Sequence, residues 1–116
     1  MKSVEDIQLE LARNPNDIPP GIVKEYLITL AVQQAYMGKA YAQAKQDAYK
    51  VKKALLDNDI KMTDARAETM MKASDAYRTY QEREREYEAL VELIRVLKIV
   101  SKLNELESEN AGQLGG

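Results

Sequence analysis

The stretch LDNDIKMTD, residues 56–64, separates two long runs of helix-forming residues and decides how they are arranged. Asp57, Asn58 and Asp59 carry short polar side chains that compete with the helical backbone for hydrogen bonds, so a helix arriving from upstream stops here. Thr63 or Asp64 then offers an oxygen to the unpaired N–H groups of the next helix. Two long helices joined by so short a turn fold back on each other as an antiparallel hairpin.

Upstream, nothing between about residues 20 and 56 interrupts a helix except an isolated Gly38. At 1.5 Å per residue that run is about 50 Å long. Downstream, a helix is expected over about residues 63–108, and ENAGQLGG makes 109–116 a flexible tail. A shorter helix over about 3–14 opens the chain. Ser3 with Asp6 three residues on is an N-cap pattern, and Val4, Ile7 and Leu11 share a face. Asn14-Pro15 ends this helix, because proline disfavours helical dihedrals in the residue before it. NPNDIPPG (14–21) is a rigid corner in which Asp17 can cap the second helix, and its prolines suit a first turn that tolerates a missing N–H. The expected fold class is all-α, a short N-terminal helix plus a long helical hairpin in a single domain over 1–108.

Composition agrees. The 116 residues are 31% charged, with three Pro and neither Phe nor Trp, and are rich in the strong helix formers Ala, Leu, Glu, Lys and Gln. Cys and His are absent, which removes disulfides, thiolate nucleophiles, imidazole bases and the usual ligands of structural zinc. Carboxylates and tyrosine hydroxyls are what chemistry remains, and a reactive tyrosine needs a pocket that a thin hairpin does not offer. No enzyme, metal site or cofactor is expected. The opening MKSVEDIQ is acidic where a secretion signal is basic and then apolar, so a cysteine-free chain of this kind reads as cytoplasmic. The apolar ALVELIRVLKIVSKLNEL (89–106) is not a membrane span, since Glu92, Arg95, Lys98, Lys102 and Glu105 interrupt it.

That apolar stretch points instead to self-association. Leu90, Leu93, Ile94, Val96, Leu97, Val100 and Leu103 spread over about half the helix circumference, against a stripe about 100° wide on an ordinary surface helix. With the register centred on the turn, Ile22 lies near Leu97, Ile28 near Val91 and Tyr41 near Arg78. The apolar IVKEYLITLAV (22–32) then faces this stretch, while AYMGKAYAQAKQDA (35–48) faces the polar YRTYQERER (77–85). One end of the hairpin is thick. The other is thin, where Ala40, Ala44, Ala48, Ala73 and Ala76 allow close approach. Apolar surface beyond what helices one and two can cover predicts a homo-oligomer built through Ile7, Leu11, Leu93, Leu97, Val100 and Leu103. Two coiled-coil seams compete in the last helix: Tyr77, Tyr80, Tyr87, Val91 and Ile94 fit one, and Leu90, Leu93, Leu97 and Val100 the other.

A net charge of −2 conceals a polarised chain, because residues 39–85 hold eleven Lys or Arg against eight Asp or Glu, and the remainder six against eleven. On a helix Lys39, Lys50 and Lys53 share one side, with Lys45 and Lys52 adjacent and Tyr49 between them. Basic residues interleaved with aromatic ones suit single-stranded nucleic acid, whose phosphates meet Lys and whose bases stack on Tyr. The competing reading is a plain solvated face, and assembly favours the first by repeating a weak stripe. Tyr41, Tyr77 and Tyr80 are further stacking candidates, whereas Tyr26, Tyr36 and Tyr87 fall among apolar neighbours and read as core. The run EREREYE (82–88) supports its helix through Glu82 with Arg85, or Arg83 with Glu86.

The order of elements is the acidic VEDIQLEL (4–11), a long lysine- and tyrosine-rich helix, a turn, and MKASDAYRTYQEREREYEALVELIRVLKIV (71–100). It resembles the small bacteriophage recombination mediators of the UvsY type. The resemblance implies a homo-oligomer in the host-cell cytoplasm that binds single-stranded DNA and helps a RecA-like recombinase displace a single-strand-binding protein. Two other readings stand beside it: a helical adaptor or inhibitor that docks on a host or phage enzyme, and a component of virion assembly.

Overall fold

The computed structural model describes residues 3–14 and 17–115, with side chains as far as Glu109. Every regular element among them is helical: α1 (Val4–Arg13), α2 (Pro20–Asn58), α3 (Asp64–Lys72) and α4 (Asp75–Gly115). The fold is all-α.

Local chemistry sets the ends of these helices. At α1, Ser3 Oγ accepts from the Asp6 N–H at 3.1 Å while the Ser3 N–H donates to the Asp6 carboxylate at 3.3 Å, a reciprocal capping box. Asn14 closes the helix by donating its N–H to the Glu10 carbonyl. Pro15 and Asn16, part of the expected rigid corner, lie outside the described residues. Ile18, at that corner, is buried. Asp17 does not stand next to the helix start; the first turn of α2 closes on the Pro19 carbonyl, which accepts from Ile22 and Val23.

α2 runs two residues past its expected end, to Asn58. Asp59 then holds the turn, its carboxylate accepting from the Lys61 N–H at 2.9 Å and its carbonyl from Met62 at 3.0 Å. Ile60 stands fully exposed at the apex. Thr63 caps α3 by accepting from the Arg66 N–H at 3.2 Å.

The helix expected over 63–108 is two helices. Ser74 Oγ donates to the Met71 carbonyl at 2.6 Å and accepts from the Tyr77 N–H at 3.2 Å, so one hydroxyl finishes α3 and starts α4. Asp75 reinforces the new start, being acidic in the first turn and 3.8 Å from Arg78. At the other end α4 continues to Gly115, where a tail from 109 was expected. A single Gly112 costs about 1 kcal/mol and no proline follows, which is not enough to stop a running helix. Gly116 lies outside the described residues.

The chain divides into two compact units, Met1–Gln34 with Ala89–Gly116, and Ala35–Glu88. The division follows side-chain size. In the first unit Ile7, Leu11 and Ile18 join Val23, Tyr26 and Leu30 of α2 and Leu90, Leu93 and Leu97 of α4 in an aliphatic core. Near the end of its α4 line Asn104 places its amide nitrogen out of solvent with no hydrogen-bond partner among the described residues. The second unit buries only Ala44 and Ala48 of α2 with Ala67 and Met71 of α3, and edges them with tyrosines.

Within this second unit the partners of α2 fall to lower numbers as its own rise: Gly38 meets Tyr87, Tyr41 meets Glu84, and Lys52 meets Asp64. The two stretches of chain therefore run in opposite directions, but the neighbours of Tyr41 are Tyr80, Glu84 and Tyr87, all beyond the expected Arg78. More chain separates Asp64 from Glu84 than separates Tyr41 from Lys52. The break at Ser74 lies within that longer stretch.

Candidate nucleic-acid interface

Ala44 and Ala48 fix which side of α2 faces inward in the second unit. By the helical period Lys39, Lys50 and Lys53 point away from that side, with Lys45 nearer its edge; all four are exposed and none is ion-paired among the described residues. Tyr49 sits between them, 46% exposed. Lys52 does not belong to this surface. It lies one turn after Ala48, its side chain is 19% exposed, and it bridges to Asp64 at the start of α3 at 3.2 Å. Its charge is already matched, and its carboxylate partner belongs to the residue that follows the α3 cap.

The tyrosines are sorted differently from the sequence expectation. Tyr41 stacks on Tyr80 with ring centroids 5.8 Å apart and planes 16° from parallel, and Tyr87 and Tyr77 close around them at 5.6 Å each. These four fill the second unit, so Tyr41, Tyr77 and Tyr80 are committed to one another. The Tyr41 hydroxyl donates to Glu84 at 3.1 Å. That hydrogen bond, then burial, raises the Tyr41 hydroxyl above its ordinary value. Burial, and then Glu84, push Tyr80 up to about 12. A carboxylate that accepts from a phenol holds the proton on it.

Tyr26 is buried as expected and its hydroxyl donates to Glu10. Tyr36, read as core, is 73% exposed. The core line of α2 passes through Val23, Tyr26 and Leu30, whereas Tyr36 continues the outer row of Ile28 and Val32, both also exposed. That four-residue spacing was the available signal. Tyr36 lines a shallow hollow of about 240 Å³ with Met37, Ala40, Arg83 and Glu86. Arg83 is held there by both carboxylate oxygens of Glu86, at 3.1 and 3.3 Å. A flat aromatic group and a planar guanidinium at one hollow are what a nucleobase can stack against.

Of the residues expected to carry assembly, Ile7, Leu11, Leu93 and Leu97 are spent in the core of the first unit. Val100 is half-buried, and Leu103 is exposed. The first unit also holds a hollow of about 680 Å³ lined by Ile7, Glu10, Ile22, Glu25, Tyr26, Ile28 and Thr29. Among the described residues no three acidic side chains gather as metal ligands, and no helix is long and apolar enough to cross a membrane. Compared with protein-family models, curated proteins and solved structures, the chain matches none.

Proposed function

We propose that this protein is a non-enzymatic, self-associating accessory factor of phage type that binds single-stranded DNA and assists a recombinase or replication protein, as a recombination mediator does. The observation that carries the reading is the outward lysine face of α2, Lys39, Lys50 and Lys53 with Lys45 at its edge, free of ion pairs among the described residues and set around the exposed Tyr49. Unpaired lysines release counterions when they meet phosphate, and an accessible ring accepts any base. Tyr36 with Arg83 offers a second stacking position. The helical hairpin, repeated in a homo-oligomer, would multiply interactions that are weak singly.

The test is a fluorescence titration of a labelled single-stranded oligonucleotide at two salt concentrations. Binding that weakens steeply with salt is expected. Lys50→Glu with Lys53→Glu should flatten the logarithmic salt slope by about 0.7 for each phosphate that is no longer neutralised. No binding at low salt removes the DNA reading.

A second reading has its own observation. Ile28 (68% exposed) and Val32 (53%) put an apolar row on the outer side of α2, which suits a protein-binding adaptor. Substituting both should then abolish capture of a protein partner and leave DNA affinity unchanged.

A further inference from the structure

α4 carries two apolar lines. One, through Leu90, Leu93 and Leu97, is buried in its own unit. The other runs through Val96, Ile99, Leu103 and Leu106, about a third of a turn round the helix from the first, and begins at Val96, which lines a hollow with Leu11 and Leu93. Val96 is half-buried, while Ile99, Leu103 and Leu106 are 47%, 53% and 46% exposed. Their spacing of three, four and three residues is that of a coiled-coil seam. One repeat before Ile99 the seam meets Glu92, which Arg95 grips with two hydrogen bonds of 2.5 and 3.0 Å. A charged pair in that position ends the seam toward the N-terminus.

We infer that this seam is occupied by the same seam of a second copy of the chain, parallel and in register. The inference rests on the self-association proposed above and specifies its geometry. Charge complementarity decides the direction. Lys102, exposed, precedes the seam residue Leu103, and Glu107, exposed, follows the seam residue Leu106. In a parallel in-register pair these flanking positions face each other across the interface, so Lys102 of each copy meets Glu107 of the other, twice by symmetry. All four apolar layers are then filled by identical residues. An antiparallel pair that keeps four apolar layers sets Lys102 against Lys102. One that sets Lys102 against Glu109 keeps only Leu103 and Leu106 opposite each other. Only the parallel arrangement satisfies both the apolar layers and the charges.

Four layers fall short of the three or four repeats of a freestanding coiled coil, so the association is concentration-dependent. The experiment is molar mass by light scattering and sedimentation across a dilution series, with helicity followed by circular dichroism. Lys102→Glu and Glu107→Lys are each expected to weaken self-association about tenfold, since two attractive flanking pairs become repulsive. Combining them in one chain, or mixing the two single variants, should restore it. Leu103→Ser should weaken it at least as much while helicity is retained, because that side chain is exposed within the chain.

A wild-type monomer at every concentration overturns both the seam and the self-association on which it rests. An oligomer indifferent to all of these variants overturns the seam alone and places assembly on another face. Single variants that weaken association without rescue by the double variant overturn the parallel register.

Discussion

Tyr87 lies against Gly38 so closely that a Cβ on that glycine would stand 3.3 Å from the ring carbon Cε2. The same ring packs on Tyr41 at 5.6 Å, so it has little room to retreat. Ordinarily Gly→Ala inside a helix gains about 1 kcal/mol. Here Gly38→Ala is expected to gain less than that, and Gly38→Leu to destabilise the protein outright by displacing Tyr87 from Tyr41. Urea unfolding of the two variants checks this; a full propensity gain in both would show that the ring is not packed where it is described.

Ser74 is the hinge of two hydrogen bonds at the α3–α4 break. Ser74→Ala is expected to cost about 1 kcal/mol, the usual value of an N-cap, while Ser74→Asp, which still accepts from the Tyr77 N–H but cannot donate to the Met71 carbonyl, should recover part of that loss. Equal losses in the two variants would mean that the break is held by something other than the cap.

Asn104 buries an amide nitrogen without a partner among the described residues, on the line of α4 that otherwise carries leucines. Replacing an unsatisfied buried polar group by an apolar one of similar size removes a penalty of about 1–3 kcal/mol. Asn104→Leu should therefore raise the thermal midpoint. A lowered midpoint would show that the amide is satisfied in solution.

Tyr41 and Tyr80 hold their protons more tightly in the folded chain than tyrosine does at its ordinary 10.0, and for Tyr80 the value reaches about 12. Because the folded values lie above the unfolded one, the associated stability is complete below pH 10 and is lost as the pH rises through about 12. An ultraviolet difference titration should show these two tyrosines ionising above tyrosine's ordinary value, coincident with loss of near-ultraviolet circular dichroism. Glu84→Gln removes the charge that restrains them and should bring their ionisation toward the ordinary value.

What the sequence made legible were the features that need no knowledge of a partner. Ser3 with Asp6, the Asp59 turn and Thr63 act on their own backbone neighbours, and each stands in the structure as its chemistry requires. The Ser74-Asp75 start signal was equally local, but it lay inside a long periodic run whose apolar and charged spacing continued through it. The site was less legible because its residues depend on which side of a helix is inward. Two apolar lines on α4 are visible as a broad arc, yet only packing shows that Leu93 and Leu97 belong inside and Leu103 outside. Lys52 is a phosphate-binding candidate by spacing, and only packing shows that Asp64 arrives from the next helix to pair with it. Tyr36 and Tyr26 look alike in sequence; the turns of α2 between them place one in the core and the other in solvent.

Ile60, alone at the apex of the turn, marks where the chain can be divided. Each compact unit draws residues from both sides of that point, the first from 1–34 and 89–116, the second from 35–88. Neither fragment produced by a cut there owns a complete core, so each alone should remain unfolded, while the two together can rebuild both units. A reporter divided between its halves would then light only when they find each other.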